Sequence, residues 1–393
     1  MGGVAAALTV DDLKRKARRS VPRMFFEYAD SGSYSESTYR ANESDFQRVL
    51  LRQRIARNLA RRTLRTQLVG EDVSMPVALA PAGLAGMQYP DGEMLAARAA
   101  ERFGVPFTLS TMSICSIEDV VSATSRPFWL QLYVMRDQDF VRNLLDRARA
   151  AGVSTLVLTM DLQLLAQRHK DLRNHLSAPP KFTLGHILQM VARPAWCLRM
   201  LGTRRHTFGN VVGHAKGVSD LSSLSAWTSE QFDPELSWDD VAWIKDYWGG
   251  KLIIKGVLDA EDARAAVDTG ADALIVSNHG GRQLDGASSS IRALPGIVAA
   301  VGDRIEVHLD GGIRSGADVL RARALGARGV YIGRPFLYGL GAGGEAGVTR
   351  VLEILRDELD VTMALTGERD INEVGPHIIH SLGFAGPDTP VAG

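Results

Sequence analysis

The amino-acid sequence predicts an α/β protein, a (β/α)8 TIM barrel with an N-terminal helical segment and a long insertion after the fourth strand. Eight short apolar runs alternate with Ala-rich amphipathic segments, which is the pattern of strands alternating with helices. Eight parallel strands are the number that closes a barrel. A doubly wound open sheet is the alternative, but its first strand is normally followed by a glycine-rich phosphate loop. The segment after the first run reads APAGLAGM, which fits no such loop.

The predicted strands begin at similar spacings, with one exception. They are VALAP from Val77, FTLS from Phe107, FWLQLY from Phe128, TLVLT from Thr155, LIIK from Leu252, ALIVS from Ala273, IEVHLD from Ile305 and GVYIG from Gly329. Helices are predicted between them, as in 259–270, where Asp259 can cap the first turn and Gly270 can end the helix. The fourth and fifth runs are much further apart than the others. We therefore expect an insertion at about 169–238 within a single domain that covers 1–393.

Composition and charge narrow the classes of function. Lys plus Arg and Asp plus Glu both total 45, so the formal net charge is zero, and no nucleic-acid partner is expected. The two cysteines, Cys115 and Cys197, are too few for an iron–sulfur cluster or a structural zinc site, and no metal is expected. The first residues lack the pattern of a secretion signal. These observations favour a cytoplasmic globular enzyme.

Polar residues and glycines end every predicted strand. One such residue alone is usually a cap or a turn, but the carboxyl ends of barrel strands share one face, where the active sites of such barrels lie. In strand order the terminal residues are Pro81 and Gly83; Ser110; Gln131 and Tyr133; Thr159 and Asp161; Lys255; Ser277, Asn278 and His279; Asp310, Gly311 and Gly312; and Gly333 and Arg334. Eight ends that converge on one mouth predict a functional site there.

The last two strand ends predict a phosphate site. Barrels commonly bind phosphate after strands seven and eight, where glycine amides and a helix N-terminus meet the anion. The segments LDGGIRSG and YIGRP have this character, and they add Arg314 and Arg334 as positive partners.

His279 is the candidate catalytic base. It lies on a glycine turn between ALIVSN and GGRQLDG, whereas a structural histidine usually lies on an apolar helical face. Its imidazole can accept a proton near neutral pH, and Asp161 could orient it and stabilise its cation. Arg282 can hold a carboxylate through two parallel hydrogen bonds. A base and a carboxylate clamp on one turn indicate an acid substrate whose adjacent C–H or O–H is attacked.

Lys255 leaves two mechanisms open. A lysine at a strand end could form a Schiff base, as in aldolase-type barrels, or could stand as a cation beside a cofactor. The second interpretation explains more of the site, because a fixed ammonium stabilises a cofactor that becomes negative on reduction.

With SNHGGRQLDG (277–286) as its most specific motif, the chain resembles the FMN-dependent 2-hydroxy-acid dehydrogenase and oxidase family. The motifs LQLY, LTMD, IIKG, SNHGGRQLDG, LDGGIRSG and IGRPFLYG occur in the family's order, and the resemblance runs from about Asp11 to about Ile379. Three further segments, GSYSESTYRAN, LRQRI and SMPVALAPAGLAGM, resemble the bacterial respiratory L-lactate dehydrogenases. The resemblance implies FMN as the cofactor and oxidation of an L-2-hydroxy acid, first of all L-lactate to pyruvate. (S)-Mandelate or glycolate is the alternative substrate, and a flavin-binding membrane-surface protein without turnover is the alternative of another class.

The resemblance also implies roles for individual residues. FMN would be contacted by Pro81, Ala82, Gly83, Ser110, Gln131, Thr159, Lys255 and Ser277, and its phosphate would be held by Asp310, Gly311, Gly312, Arg314, Gly333 and Arg334. The substrate would be bound by Tyr28, Tyr133, Arg168 and Arg282, with His279 as the base and Asp161 beside it. The family usually has a proline and a glycine between this aspartate and this arginine, whereas 161–168 has neither. The spacing that delivers Arg168 is retained, but the resemblance does not define the backbone of this loop.

The insertion raises the question of a membrane. Residues 181–201 are apolar on one side but too short and too charged to span a bilayer. They suit an interfacial segment with Trp196 as its aromatic anchor; a lid or a subunit contact is the alternative. Because membrane-bound mandelate and lactate dehydrogenases carry a comparable insertion, we expect peripheral association with the cytoplasmic face of the inner membrane. The resemblance further implies a homotetramer and an external electron acceptor, either a quinone, a cytochrome or oxygen.

Overall fold

The computed structural model describes residues 3–176, 183–215, 218 and 231–384. Its central sheet has eight strands: β1 (Val77–Leu79), β2 (Thr108–Ser110), β3 (Trp129–Tyr133), β4 (Thr155–Thr159), β5 (Lys251–Val257), β6 (Ala273–Val276), β7 (Glu306–Asp310) and β8 (Val330–Ile332). Strands β2 to β8 pair in parallel in chain order, and β8 pairs with β1. A parallel bridge between Leu79 and Phe107 closes the cylinder. The predicted (β/α)8 barrel is confirmed.

Helices surround the barrel. They are Val10–Ser20, Arg23–Ala29, Ser37–Ser44, Ala85–Gln88, Gly92–Phe103, Ile117–Ala123, Gln138–Ala150, His169–Arg173, Leu184–Val191, Pro194–Met200, Trp238–Trp248, Ala260–Asp268, Ser290–Val301, Gly316–Ala324 and Arg334–Leu365. The last of these bends at Gly343 and Gly344, whose backbone is not helical. Short 3-10 turns lie at Val4–Ala6, Asp45–Arg48 and Pro376–Ile378. The predicted cap at Asp259 is present, because its carboxylate accepts a hydrogen bond from the Glu261 amide at 2.7 Å.

Two further strand pairs lie outside the barrel wall. Val49–Leu51 pairs antiparallel with Ile379–Leu382, and Thr66–Leu68 pairs antiparallel with Glu71–Val73. The turn of the second pair contacts the first residues of β5 and β7: the Lys251 ammonium donates to the Val69 carbonyl, and the Val69 amide donates to Glu306 at 3.0 Å. This hairpin therefore covers the amino-terminal end of the barrel.

Burial follows the two faces of the strands. All five residues of β4 are buried, as expected for a parallel strand covered on both sides. One apolar cluster lies between the strands and the helices, and a second fills the barrel interior; the second contains Leu68, Val69, Val73, Ala78, Ala80, Trp129, Val157, Ile253, Ala273, Ile275 and Tyr331. Because the hairpin covers the amino-terminal end and this cluster fills the interior, the polar carboxyl ends of the strands are left to form a site at the other end.

The described part of the insertion packs against the N-terminal helices. The Trp196 ring is 7% exposed and stacks on Phe25 at a centroid distance of 5.5 Å, and its indole N–H donates to the Met87 carbonyl at 3.0 Å. The prediction that Trp196 is an interfacial anchor is therefore wrong, since its ring and its N–H are both used in internal packing. Residues 177–182, 216–217 and 219–230 of the predicted insertion lie outside the described residues.

Candidate active site

A cavity of about 660 Å³ lies at the carboxyl ends of the strands. The predicted site residues that line it are Tyr28, Pro81, Ala82, Gly83, Ser110, Tyr133, Thr159, Arg168, Lys255, His279, Arg282, Asp310, Gly311, Gly312, Arg314, Gly333 and Arg334. Gln131, Asp161 and Ser277 are not among the lining residues, but each hydrogen-bonds to one that is. The fold thus brings all the predicted site residues together, from strand ends and from the N-terminal segment.

Lys255 is a buried cation in the cavity wall. Its Nζ lies 3.0 Å from Asp310 Oδ2 and donates to Ser277 Oγ at 2.8 Å, and the Lys255 and Asp310 side chains are only 5% and 9% exposed. Burial alone would lower the pKa of Lys255, but Asp310 and Asp161 raise it above its ordinary value. A Schiff base requires the neutral amine. The pairing therefore favours the cofactor-facing cation over the aldolase-type nucleophile.

A row of polar side chains crosses three neighbouring strand ends. Ser110 Oγ donates to Gln131 Oε1 at 3.0 Å, and Gln131 Nε2 donates to Thr159 Oγ1 at 3.0 Å. The parallel register sets this row, because Ser110 of β2 lies beside Gln131 of β3. Such a row suits the polar edge of a planar heterocycle, where donors and acceptors alternate.

The ends of β7 and β8 form a concave backbone surface. Gly311 and Gly312 have φ values of 88° and 86°, and a Cβ at Gly312 would lie 1.9 Å from the Asn42 carbonyl oxygen, so only glycine fits there. The helix Arg334–Leu365 begins directly after Gly333. Backbone amides and a helix N-terminus at one place are suited to a phosphate.

Arg314 and Arg334, the predicted positive partners of a phosphate, line this end of the cavity, and each also bonds to a group of the protein. Arg314 Nη2 lies 2.7 Å from Glu43 Oε1, and Arg334 Nη2 donates to the Ser31 carbonyl at 2.7 Å. Asp310 Oδ1 is buried and has no hydrogen-bond partner among the residues that the structure describes. A cation, an open acceptor and a glycine cradle in one cavity fit FMN, whose ring becomes negative on reduction and whose ribityl chain carries hydroxyls and a phosphate.

His279 adopts the left-handed conformation, with φ 56°, on the turn after β6. Its Nδ1 lies 2.8 Å from Asp161 Oδ1. Burial alone would raise the pKa of Asp161, but His279 and Lys255 bring it below its ordinary value, so Asp161 is a carboxylate. A carboxylate only accepts hydrogen bonds, and Nδ1 must therefore carry the proton. In the neutral imidazole the lone pair then lies on Nε2, which is the form that a general base requires.

Two guanidinium groups lie over the Tyr28 ring. The central carbons of Arg282 and Arg168 are 5.0 and 5.3 Å from the ring centroid. Burial, together with the nearby Arg168, lowers the pKa of Arg282 to about 10, so the Arg282 guanidinium remains charged at neutral pH. Burial, with Asp161 nearby, raises the pKa of Tyr133, whose hydroxyl is therefore a donor. Two cations and a phenol at one end of the cavity suit a 2-hydroxy carboxylate.

Sequence reasoning missed two residues of this region. Asp171 lies 2.8 Å from Arg168 Nε, and Gln283 hydrogen-bonds to the loop that carries Arg168. The i,i+3 spacing in the helix His169–Arg173 could have suggested Asp171. Gln283 is part of SNHGGRQLDG, but its partners are more than a hundred residues away in the sequence.

Known proteins resemble this chain over most of its length. The FMN-dependent dehydrogenase family model matches residues 17–381. The chain is 48% identical to L-lactate dehydrogenase of Pseudomonas entomophila (strain L48) over 365 residues, 92% of this chain and 95% of that one. It is also 48% identical to L-lactate dehydrogenase of Caulobacter vibrioides (strain NA1000 / CB15N) over 370 residues, 94% of this chain and 96% of that one.

Solved structures of the same kind superpose closely. The crystal structure of the monotopic membrane protein (S)-mandelate dehydrogenase has a TM-score of 0.91 and 35% identity, covering 95% of this chain and 99% of that one. Mandelate oxidase with benzoyl-formic acid has a TM-score of 0.79 and 35% identity, covering 94% and 97%. These matches confirm the predicted family and cofactor. The chain belongs to the FMN-dependent dehydrogenase family and is an FMN-dependent 2-hydroxy acid dehydrogenase.

Proposed function

We propose that the enzyme oxidises L-lactate to pyruvate and passes the electrons to an external acceptor, either a quinone, a cytochrome or oxygen. The observation that carries the proposal is one cavity with the His279–Asp161 pair, the two guanidinium groups of Arg168 and Arg282, and the buried Lys255. Relatives named L-lactate dehydrogenase are 48% identical, whereas the mandelate enzymes of known structure are 35% identical. This difference favours lactate; (S)-mandelate and glycolate are the alternatives.

In the proposed mechanism the substrate carboxylate pairs with Arg282 and Arg168, and its hydroxyl lies near Tyr28 and Tyr133. The carbinol loses two electrons and two protons overall and becomes a carbonyl. His279 Nε2 takes one hydrogen as a proton, either from the hydroxyl or from the adjacent carbon. The negative charge of Asp161 stabilises the imidazolium that forms, because it lies 2.8 Å from Nδ1.

FMN, when bound, supplies a two-electron acceptor. Gly311, Gly312 and Gly333 would hold its phosphate with Arg314 and Arg334. The Lys255 ammonium would stabilise the negative charge that accumulates on the cofactor during reduction. Because Asp310 holds Lys255 in place, this charge is available without a rearrangement of the protein.

The test is an anaerobic titration of the purified protein with L-lactate, followed by flavin absorbance, and then admission of oxygen. We expect bleaching with L-lactate and none with the D-enantiomer. Slow recovery in oxygen indicates a dehydrogenase with another acceptor, and fast recovery indicates an oxidase. If glycolate or (S)-mandelate bleaches the flavin and L-lactate does not, that acid is the substrate instead of lactate. A yellow protein that never bleaches with any hydroxy acid would overturn the enzymatic proposal.

We also propose that the insertion docks peripherally on the cytoplasmic face of the inner membrane. The helices Leu184–Val191 and Pro194–Met200 and the residue after them expose six large apolar side chains, here called the insertion patch: Leu184, Ile187, Leu188, Val191, Leu198 and Leu201. Exposed clusters of this kind commonly mark a contact with a membrane or with another protein. Within the described ranges no helix has the length and apolar character needed to cross a bilayer. The resemblance to a monotopic membrane enzyme supports a membrane, and not another protein, as the partner of the insertion patch.

The double substitution of Leu184 and Leu188 by serine should weaken binding to phosphatidylglycerol vesicles by about a hundredfold or more, because each buried leucine contributes about 1.5–3 kcal/mol. Flotation with vesicles measures the effect, and turnover with a soluble acceptor should not change. Ile55→Ser is the matched control, since Ile55 is 82% exposed but lies outside the insertion. Unchanged flotation together with a change in mass by light scattering would instead assign the patch to a subunit contact. The same scattering measurement tests the proposed homotetramer.

A further inference from the structure

Gln283 joins the turn that carries the base to the loop that carries Arg168. Its Nε2 donates to the carbonyls of Asp161 and Leu164, both at 2.8 Å. Its Oε1 accepts from the Ala166 amide at 3.3 Å. One side chain thus binds three backbone positions of the loop 161–168. Gln283 follows directly after Arg282, so the same short segment carries one guanidinium and holds the backbone that delivers the other.

This loop has little internal stiffness. Residues 161–168 contain no proline, and they include no helix or strand. Leu164 and Leu165 are 70% and 52% exposed, so their side chains contribute little packing. Hydrogen bonds from outside the loop must therefore hold its shape. Besides Gln283, the Tyr34 amide donates to the Gln167 carbonyl at 3.1 Å, and Gln163 Nε2 donates to the Leu236 carbonyl at 2.7 Å.

The loop has to hold Arg168 against a repulsion. The guanidinium groups of Arg168 and Arg282 share the Tyr28 ring, and the pKa of Arg282 is lowered to about 10 by burial and by the charge of Arg168. Two like charges beside the same ring repel each other until a carboxylate binds to them. Asp171 offsets part of this repulsion through its ion pair with Arg168. The rest acts to move Arg168, and the loop with it, away from Arg282.

We propose that Gln283 is a positioning residue for substrate binding: its amide holds the loop 161–168 so that Arg168 stays close to Arg282 when no carboxylate is bound. The proposal rests on the proposed function, in which these two arginines bind the substrate carboxylate. Gln283 itself need not touch the substrate. Its contribution is to keep the two cations together before the substrate arrives, so that binding does not have to bear the cost of ordering the loop.

The test uses the FMN-loaded enzyme and the variant Gln283→Met, which keeps the length of the side chain and removes all three hydrogen bonds. We expect KM for L-lactate and the dissociation constant for oxalate, a carboxylate that is not oxidised, to rise by about tenfold. Oxalate binding is read from the shift of the flavin spectrum. The kcat value should change less than about threefold, since Gln283 bonds to the Asp161 backbone carbonyl and the side-chain hydrogen bond between Asp161 and His279 does not include it. Gln163→Met is the matched control, because it removes a hydrogen bond from the same loop on its other side, and we expect less than a twofold change in KM.

A double-mutant cycle with Arg168→Met separates positioning from general damage. If Gln283 acts through Arg168, adding Gln283→Met to Arg168→Met changes oxalate binding by less than about twofold. A full tenfold loss in that background, or an unchanged KM in Gln283→Met alone, would overturn the proposal. Equal losses from Gln163→Met and Gln283→Met would also overturn it, since any hydrogen bond to the loop would then have the same effect.

Should Gln283→Met fail to fold, Gln283→Glu, which keeps the acceptor and loses both donors, is compared in the same way. If L-lactate reduces the flavin of neither the wild type nor any variant, the proposed function fails. The double-mutant cycle on oxalate binding still tests whether Gln283 acts through Arg168.

Discussion

Replacing His279 with alanine is expected to slow reduction of the flavin by L-lactate by about 10⁴-fold while FMN remains bound. The imidazole is the general base of the proposed mechanism, and its ring hydrogen-bonds to Asp161, not to any residue at the phosphate end of the cavity. Anaerobic stopped-flow absorbance measures the reduction rate, and the flavin-to-protein ratio measures cofactor retention. Reduction at more than a tenth of the wild-type rate would rule out His279 as the base.

Asp161→Asn is the matched control for this experiment. It keeps the shape of the side chain but removes the charge that stabilises the imidazolium and selects the Nδ1–H tautomer. We expect a loss smaller than that of His279→Ala, and we expect the double variant to lose little beyond the histidine variant alone, because Asp161 acts on the reaction through the His279 ring. Additive losses would mean that Asp161 has a role independent of His279.

Replacing Arg282 with methionine is expected to lower kcat/KM for L-lactate by about 10³-fold, since it removes the buried partner of a carboxylate. Most of the loss should appear in KM and in the dissociation constant for oxalate. Steady-state kinetics and oxalate titration measure the two effects. Arg282→Lys keeps the charge but loses the two-pronged hydrogen bond, and we expect an intermediate loss. An unchanged oxalate affinity in Arg282→Met would show that the carboxylate binds elsewhere.

Most of the fold could be predicted because it depends on local pattern. Buried parallel strands appear in a sequence as short apolar runs. Every predicted run contains or overlaps an observed strand; TLVLT, for example, forms β4 (Thr155–Thr159). The site could be predicted for a related reason. In a closed barrel the carboxyl ends of the strands must meet, so the residues that follow each run lie at one mouth without further information.

The errors and omissions concern contacts between distant segments. Trp196 lies in an apolar stretch that looks interfacial, yet its ring packs on Phe25, and only the docking of the insertion on an N-terminal helix decides this. Gln283 was overlooked as a functional residue for the same reason, because a glutamine on a turn has no pattern that identifies which carbonyl accepts its amide.

The sequence by itself determined the order of strands, the glycines at the last two strand ends, the histidine on its turn and the family to which they belong. These depend on residue type and on spacing along the chain, which folding does not change. Only the tertiary structure decided that Lys255 is a paired cation, that Asp161 is ionised and thereby assigns the proton to His279 Nδ1, and that Gln283 hydrogen-bonds to the loop of Arg168. Charge state, tautomer and hydrogen-bond partner depend on distance and burial in three dimensions, and these quantities exist only after the segments have packed together.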